Sequence, residues 1–223
     1  MTVAYAPEPG PLDAFRARHP LFAGATILSL VACLPILVAM TFDGRLYQDV
    51  SVWAKPLKFL LSTASFFAML ALVAPWLPAG ATARPWHRAW AALIVFCAAA
   101  ELFWIIAASA AGIPSHFNDA TPLMAAAYTA AGIGAVTLLT GAPVYGALLW
   151  RNAAAPIDPA FRLSLIAGLV MTFPLTFVVA GYLGGAGSHF VGGDGSDAQG
   201  MVLTGWARDG GDLRVAHFFA LHA

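Results

Sequence analysis

Glutamate occurs only at Glu8 and Glu101, and the second stands deep inside an apolar run. A charged carboxylate in lipid costs several kcal/mol, so such a group is protonated, paired or beside water, and is by default a functional candidate. Measured to the end of its run at Ala111, Glu101 lies about 15 Å deep at 1.5 Å per residue. His222 follows Arg214 by eight residues, a depth of about 12 Å. Glu101 and His222 are therefore the expected intramembrane pair, able to hold a proton or a ligand. His217 and His222 diverge by about 140° around a helix, which disfavours one zinc held by both. His217 instead shares a face with Arg214 at i, i+3.

A second polar set gathers at one end of the expected bundle: Lys55, Lys58, His116, Asn118, Asp119, His189, Asp212, Arg214 and His217. Lys58 and Arg214 fall in first helical turns, where the helix dipole disfavours a cation by a few tenths of a kcal/mol. Something negative is expected beside them: lipid phosphate, Asp119, Asp194 or an anionic ligand. Pro56, Thr121-Pro122 and Asp212 also read as helix starts and caps. The tripeptide Ser-His-Phe occurs at Ser115 and again at Ser188, each time just after the small-residue end of an apolar run.

The elements that must position these groups are apolar helices. The chain has 223 residues, of which 60% are hydrophobic and 10% charged, with a mean hydropathy of +0.77; soluble domains carry roughly 25% charged residues. A crossing needs about 20 apolar residues. Such runs cover 22–42, 57–77, 89–111, 123–150 and 163–183, and a sixth, 214–223, is incomplete. Residues 1–21 form a polar, proline-rich arm, so the domain reading is an arm followed by one bundle over 22–223. The fold class is an all-α polytopic transmembrane bundle, since the runs lack the alternation of barrel strands. Pro35, Pro143 and Pro174 fall inside three runs and are expected to kink them. Leu46, Val50, Trp53 and Leu57 suggest an interfacial helix, and the Gly- and Asp-rich stretch 184–211 reads as a mobile loop.

Arg16, Arg18, Arg84, Arg88, Arg151 and Arg162 lie on the N-terminal side, against Arg45, Lys55, Lys58, Arg208 and Arg214 opposite. That balance favours a cytoplasmic N-terminus. Eleven basic and eleven acidic residues give no net charge, which excludes the basic stripe of a nucleic-acid binder. Cys33 and Cys97 are isolated in apolar runs and read as packing residues. Phosphate-loop, dinucleotide and zincin motifs are absent from the sequence, so nucleotide-driven or zincin chemistry has no support.

Trp53-Ala-Lys-Pro-Leu-Lys-Phe59, Ala100-Glu101, Ser115-His-Phe-Asn-Asp-Ala-Thr-Pro122, Leu203-Thr-Gly-Trp206 and Gly211-Asp-Leu-Arg-Val-Ala-His-Phe-Phe-Ala-Leu-His222 resemble, as a set, an uncharacterised family of bacterial polytopic membrane proteins. The resemblance runs from about Trp53 onward and implies a multi-pass bundle in a bacterial cytoplasmic membrane. It carries no activity. Family members continue past Leu-His-Ala, so it also implies a truncated last helix.

Three functions compete. A proton-linked carrier or channel-like protein would use Glu101 and His222 inside the bundle and the basic groups at its mouth for a small polar or anionic solute. A membrane redox protein or enzyme would ligate haem or a metal through His116, His189, His217 or His222. A sensory or assembly subunit would have no chemistry of its own. The first reading is preferred, with the lipid bilayer as the one sure partner and an enzyme the less expected outcome.

Overall fold

The computed structural model describes residues 10–47, 49–116, 118, 120–201 and 204–223. A short helix α1 (Pro11–Arg18) leads into α2 (Pro20–Phe42), then a two-residue hairpin of β1 (Leu46–Tyr47) and β2 (Val50–Ser51), and α3 (Ala54–Val73). Two 3₁₀ turns connect to α4 (Pro85–Ala111), followed by α5 (Pro122–Leu139), α6 (Gly141–Trp150) and α7 (Pro159–Ala186). A second hairpin, β3 (Phe190–Val191) with β4 (Gly211–Asp212), precedes α8 (Leu213–Leu221).

Local sequence explains where the helices start. Pro20, Pro85, Pro122 and Pro159 each stand in the first helical positions, where the missing N–H is no loss. Thr121 accepts a hydrogen bond from the Met124 N–H, and Asp158 accepts from Ala160 and Phe161. Gly112 and Gly187 end α4 and α7 in the left-handed conformation, with φ of 69° and 64°, which costs a residue without Cβ nothing.

Five helical segments are long and apolar enough to cross a membrane: Pro20–Phe42, Ala54–Trp76, Pro85–Ala111, Pro122–Trp150 and Pro159–Ala186. Their outward faces carry Leu28, Leu34, Phe96, Phe103 and Val178, all more than half exposed. A stripe of that size must meet lipid rather than water. The chain is an all-α, multi-pass membrane protein.

The expected fourth long run is broken. Pro143 has no N–H to offer Leu139 and its ring crowds that carbonyl, so α5 stops at Leu139 and α6 starts at Gly141. Thr140 covers the break: its hydroxyl donates to the Thr137 carbonyl and accepts from the Trp90 indole N–H at 3.0 Å. By contrast Pro35 and Pro174 sit inside continuous helices. The interfacial helix expected from Leu46, Val50, Trp53 and Leu57 does not form; Asp49 turns the chain at φ 64° and the hairpin takes its place.

The packed core lies toward the N-terminal end of the bundle, where Phe22, Phe67, Leu70, Ile94, Tyr145 and Leu149 are almost wholly buried. Close approach depends on glycine: a Cβ on Gly141 would stand 2.7 Å from the Phe66 ring, and one on Gly146 would stand 2.8 Å from Val170. At the opposite end the described residues form a smaller cluster around Cys33, Ile36 and Leu60. Polar side chains occupy that end.

Candidate functional site

Arg45 and Trp53 build the frame. Both bind the Asp43 carboxylate, Arg45 through Nη2 at 2.7 Å and Trp53 through its indole N–H at 2.8 Å, and together with the neighbouring backbone they hold that carboxyl well below the usual carboxylate range. Arg45 Nη1 also donates to the Ala110 carbonyl at 3.0 Å, tying the α2–α3 connection to the end of α4. From within α4, Trp104 Nε1 donates to the carbonyl of Ser115, in the loop that follows, at 2.8 Å. Asn118 clasps the same loop, donating to the Pro114 carbonyl at 2.8 Å and accepting from the Ala120 N–H.

This frame delivers His116 between a lysine and the buried glutamate. Lys55 Nζ is 3.1 Å from His116 Nδ1, the Ser115 hydroxyl is also 3.1 Å from that atom, and His116 Nε2 faces Glu101 Oε1 at 3.9 Å. An ammonium can only donate, so Nδ1 accepts and the ring proton sits on Nε2, pointing at the carboxylate. Burial, with Lys55 adding to it, lowers the His116 pKa to about 3, so the ring is neutral at ordinary pH. Phe59 and Tyr128 flank the imidazole at ring distances of 5.8 and 5.7 Å.

The expected pairing of Glu101 with His222 is not the one formed. Glu101 turns to His116, whereas His222 Nδ1 lies 2.7 Å from the Phe218 carbonyl, with its ring on Phe218. Among the described residues no hydrogen bond or ion pair joins the two. Equal depth does not make neighbours: α8 runs along α7, where the Ala223 carbonyl would meet a Cβ on Gly168 at 2.6 Å.

The other basic residues form a second cluster. Arg214 holds Asp212 and Asp197 in two-pronged contacts as short as 2.6 Å and donates to the Gly205 carbonyl at 2.8 Å. Asp212 also caps α8 through the Arg214 N–H and accepts from the Ala207 N–H. Burial works against its charge, but the Arg214 and backbone hydrogen bonds outweigh it and keep its pKa low. Lys58 Nζ donates to the Thr204 carbonyl at 2.8 Å. His189 Nε2 stands 3.6 Å from Asp197, beyond hydrogen-bond reach, and burial followed by the Arg214 charge lowers its pKa. His217 is half-buried, with Nδ1 unpartnered among the described residues.

These contacts correct two expectations. The counter-ions of Arg214 are Asp197 and Asp212, whereas the Asp194 backbone N–H binds Asp209 and its carboxylate accepts from Ser196; Asp119 lies outside the described residues. The Gly-rich stretch after α7 is a folded loop closed by the β3–β4 pair, the Asp209 link and a Met201–Trp206 backbone bond. Asp197, Trp104 and Tyr128 were not singled out from the sequence, because no local spacing ties them to their partners.

Among the described residues no three His, Cys, Asp or Glu side chains gather so as to hold a metal ion. Ser115-His116 and Ser188-His189 each follow a left-handed glycine, and each histidine faces one carboxylate, Glu101 or Asp197. Comparison with known proteins finds no matching family model, no matching curated protein and no matching solved structure.

Proposed function

We propose that this chain, a member of the bacterial multi-pass family its motifs resemble, is a proton-linked carrier of a small polar solute in the cytoplasmic membrane, with its N-terminus in the cytoplasm. The observation that carries the reading is the row Lys55, His116, Glu101: Lys55, at the start of one spanning helix, is hydrogen-bonded to the loop residue His116 at 3.1 Å, and His116 Nε2 faces Glu101 of another spanning helix across 3.9 Å. Chains of hydrogen-bonded ionisable groups in a low-dielectric bundle are how protons are relayed. The relay balances: Lys55 passes a proton to Nδ1 of His116, the Nε2 proton passes to the Glu101 carboxylate, and lysine is left as the neutral amine. The Nε2–Oε1 gap must close by about 1 Å to reach transfer distance.

An anionic solute is the weaker alternative. Lys58 and Arg214 stand with Asp197 and Asp212, and Lys55 stands with Glu101, so each cluster is neutral overall. Such compensated charge gives little steering to an anion. The test is proton uptake into proteoliposomes driven by a panel of neutral amino acids, polyols and monocarboxylates. Solute-dependent uptake that falls about tenfold or more in Glu101→Gln supports the reading; uptake unchanged by that substitution removes Glu101 from the path.

A further inference from the structure

The opposite end of α4 holds a polar set that the Glu101 row does not use. His87 lies fourteen residues before Glu101, about 21 Å along the helix. It is wholly buried, yet neither ring nitrogen has a hydrogen-bond partner among the described residues. It lines a cavity of about 580 Å³ between the α1–α2 junction and the start of α4. Among the described residues, the charged ones lining that cavity are Arg18 and Arg88, and no carboxylate lines it with them. Among the described residues neither guanidinium has a hydrogen bond or an ion pair.

His19, stacked 4.0 Å over Phe22 and 5.5 Å from His87 by ring centres, lines the same space. Its Nδ1 accepts the Phe22 N–H, so a neutral His19 carries its proton on Nε2. A neutral His87 likewise has one N–H with nothing to receive it. Among the described residues, two unpaired guanidinium groups, two imidazole N–H donors and the Thr82 hydroxyl thus surround a space that no carboxylate lines. Arginine's planar fork matches phosphate oxygens two at a time, and basic pockets between spanning helices are where lipid phosphates bind.

We propose that this cavity binds a phosphate group, carried by an anionic lipid or free in solution, with Arg18 and Arg88 neutralising it and His87 donating from the buried side. Phosphate accepts the one N–H of a neutral His87, a donor that has no partner among the described residues.

The test uses the full chain, stripped of lipid in detergent, with three probes: short-chain phosphatidylglycerol, the matching diacylglycerol without phosphate, and inorganic phosphate. Native mass spectrometry reads the bound fraction. Phosphatidylglycerol should bind more tightly than diacylglycerol, and lose about tenfold or more in the double variant Arg18→Gln/Arg88→Gln. Both arginines are exposed, so this variant should fold. His87→Phe, which keeps the ring but not the donor, should weaken binding as well. If inorganic phosphate binds with the same arginine dependence, the source is free phosphate; if only the lipid does, it is the membrane. Equal binding of phosphatidylglycerol and diacylglycerol with no binding of phosphate, or indifference to the arginine variant, overturns the proposal.

Discussion

Lys55 and Lys58 stand one turn apart at the start of α3, yet their ammonium groups end in two different polar clusters: Lys55 Nζ lies 3.1 Å from His116 Nδ1, and Lys58 Nζ lies 2.8 Å from the Thr204 carbonyl. One helical turn therefore reaches both the loop after α4 and the loop before α8. The chain's only two lysines are separable in function. Lys55→Met removes a cation that holds the His116 pKa down, so the His116 titration should move upward from about 3. Lys58→Met should leave it in place. Histidine-labelled NMR of the two variants reads the difference.

His116 should also make stability depend on pH. Its pKa falls from an ordinary 6.5 to about 3 in the folded chain. Between those values the unfolded chain binds more protons, so stability is fully present above about pH 6.5 and lost as pH falls toward about 3. His19, lowered to about 4 by burial and His87, acts in the same direction. Thermal unfolding in detergent should therefore drop in temperature between about pH 7.5 and 5.5, and His116→Gln should shrink that drop. An undiminished drop would assign the effect to His19 and the remaining histidines.

Arg214 is needed as an arginine. Two carboxylates, Asp197 and Asp212, take its fork at 2.6 Å, and the Asp212 side chain is 1% exposed. A lysine keeps the charge but cannot meet both carboxylates in that geometry. Arg214→Lys should cost about 2 kcal/mol in folding stability, reduced from the fully buried figure because the arginine itself is partly exposed. Asp197→Asn should destabilise too, and the double variant by less than the sum, as a double-mutant cycle would record.

Glycine matters unevenly across the bundle. Gly146→Val would drive a side chain into Val170 and Leu169 and should cost about 1–3 kcal/mol. Gly24 in α2 has nothing within 4 Å of the Cβ position. Gly24→Ala should be neutral or stabilise by about 0.5–1 kcal/mol. Chemical denaturation of the two variants in the same detergent compares them directly.

The spans were legible because a run of about 20 apolar residues reflects its solvent, whatever its neighbours are. The expected starts fall one to four residues late: Thr121-Pro122 reads as a helix start, whereas Pro20, Pro85 and Pro159 read as loop residues and are first-turn residues. Depth along a helix was legible too, and it picked out Glu101. The helix beside Glu101 was not, because azimuth and packing order leave no mark in a uniformly apolar stretch. That is why His222 looked like its partner and His116 is the one that reaches it. The hairpin at Leu46–Ser51 was missed because helical spacing of four apolar residues outweighed a single Asp49 turn. Asp197 meets Arg214 only through the fold of a long loop, which no short motif reports.

The proton relay requires Glu101 to exchange a proton within the bundle. Infrared difference spectroscopy of the protein in lipid, stepped between about pH 5 and 9, reads that carboxyl directly. A protonated-carboxyl band that appears and disappears across this range, and is missing in Glu101→Gln, is the predicted result. A spectrum in which Glu101→Gln removes no pH-dependent carboxyl band would contradict it.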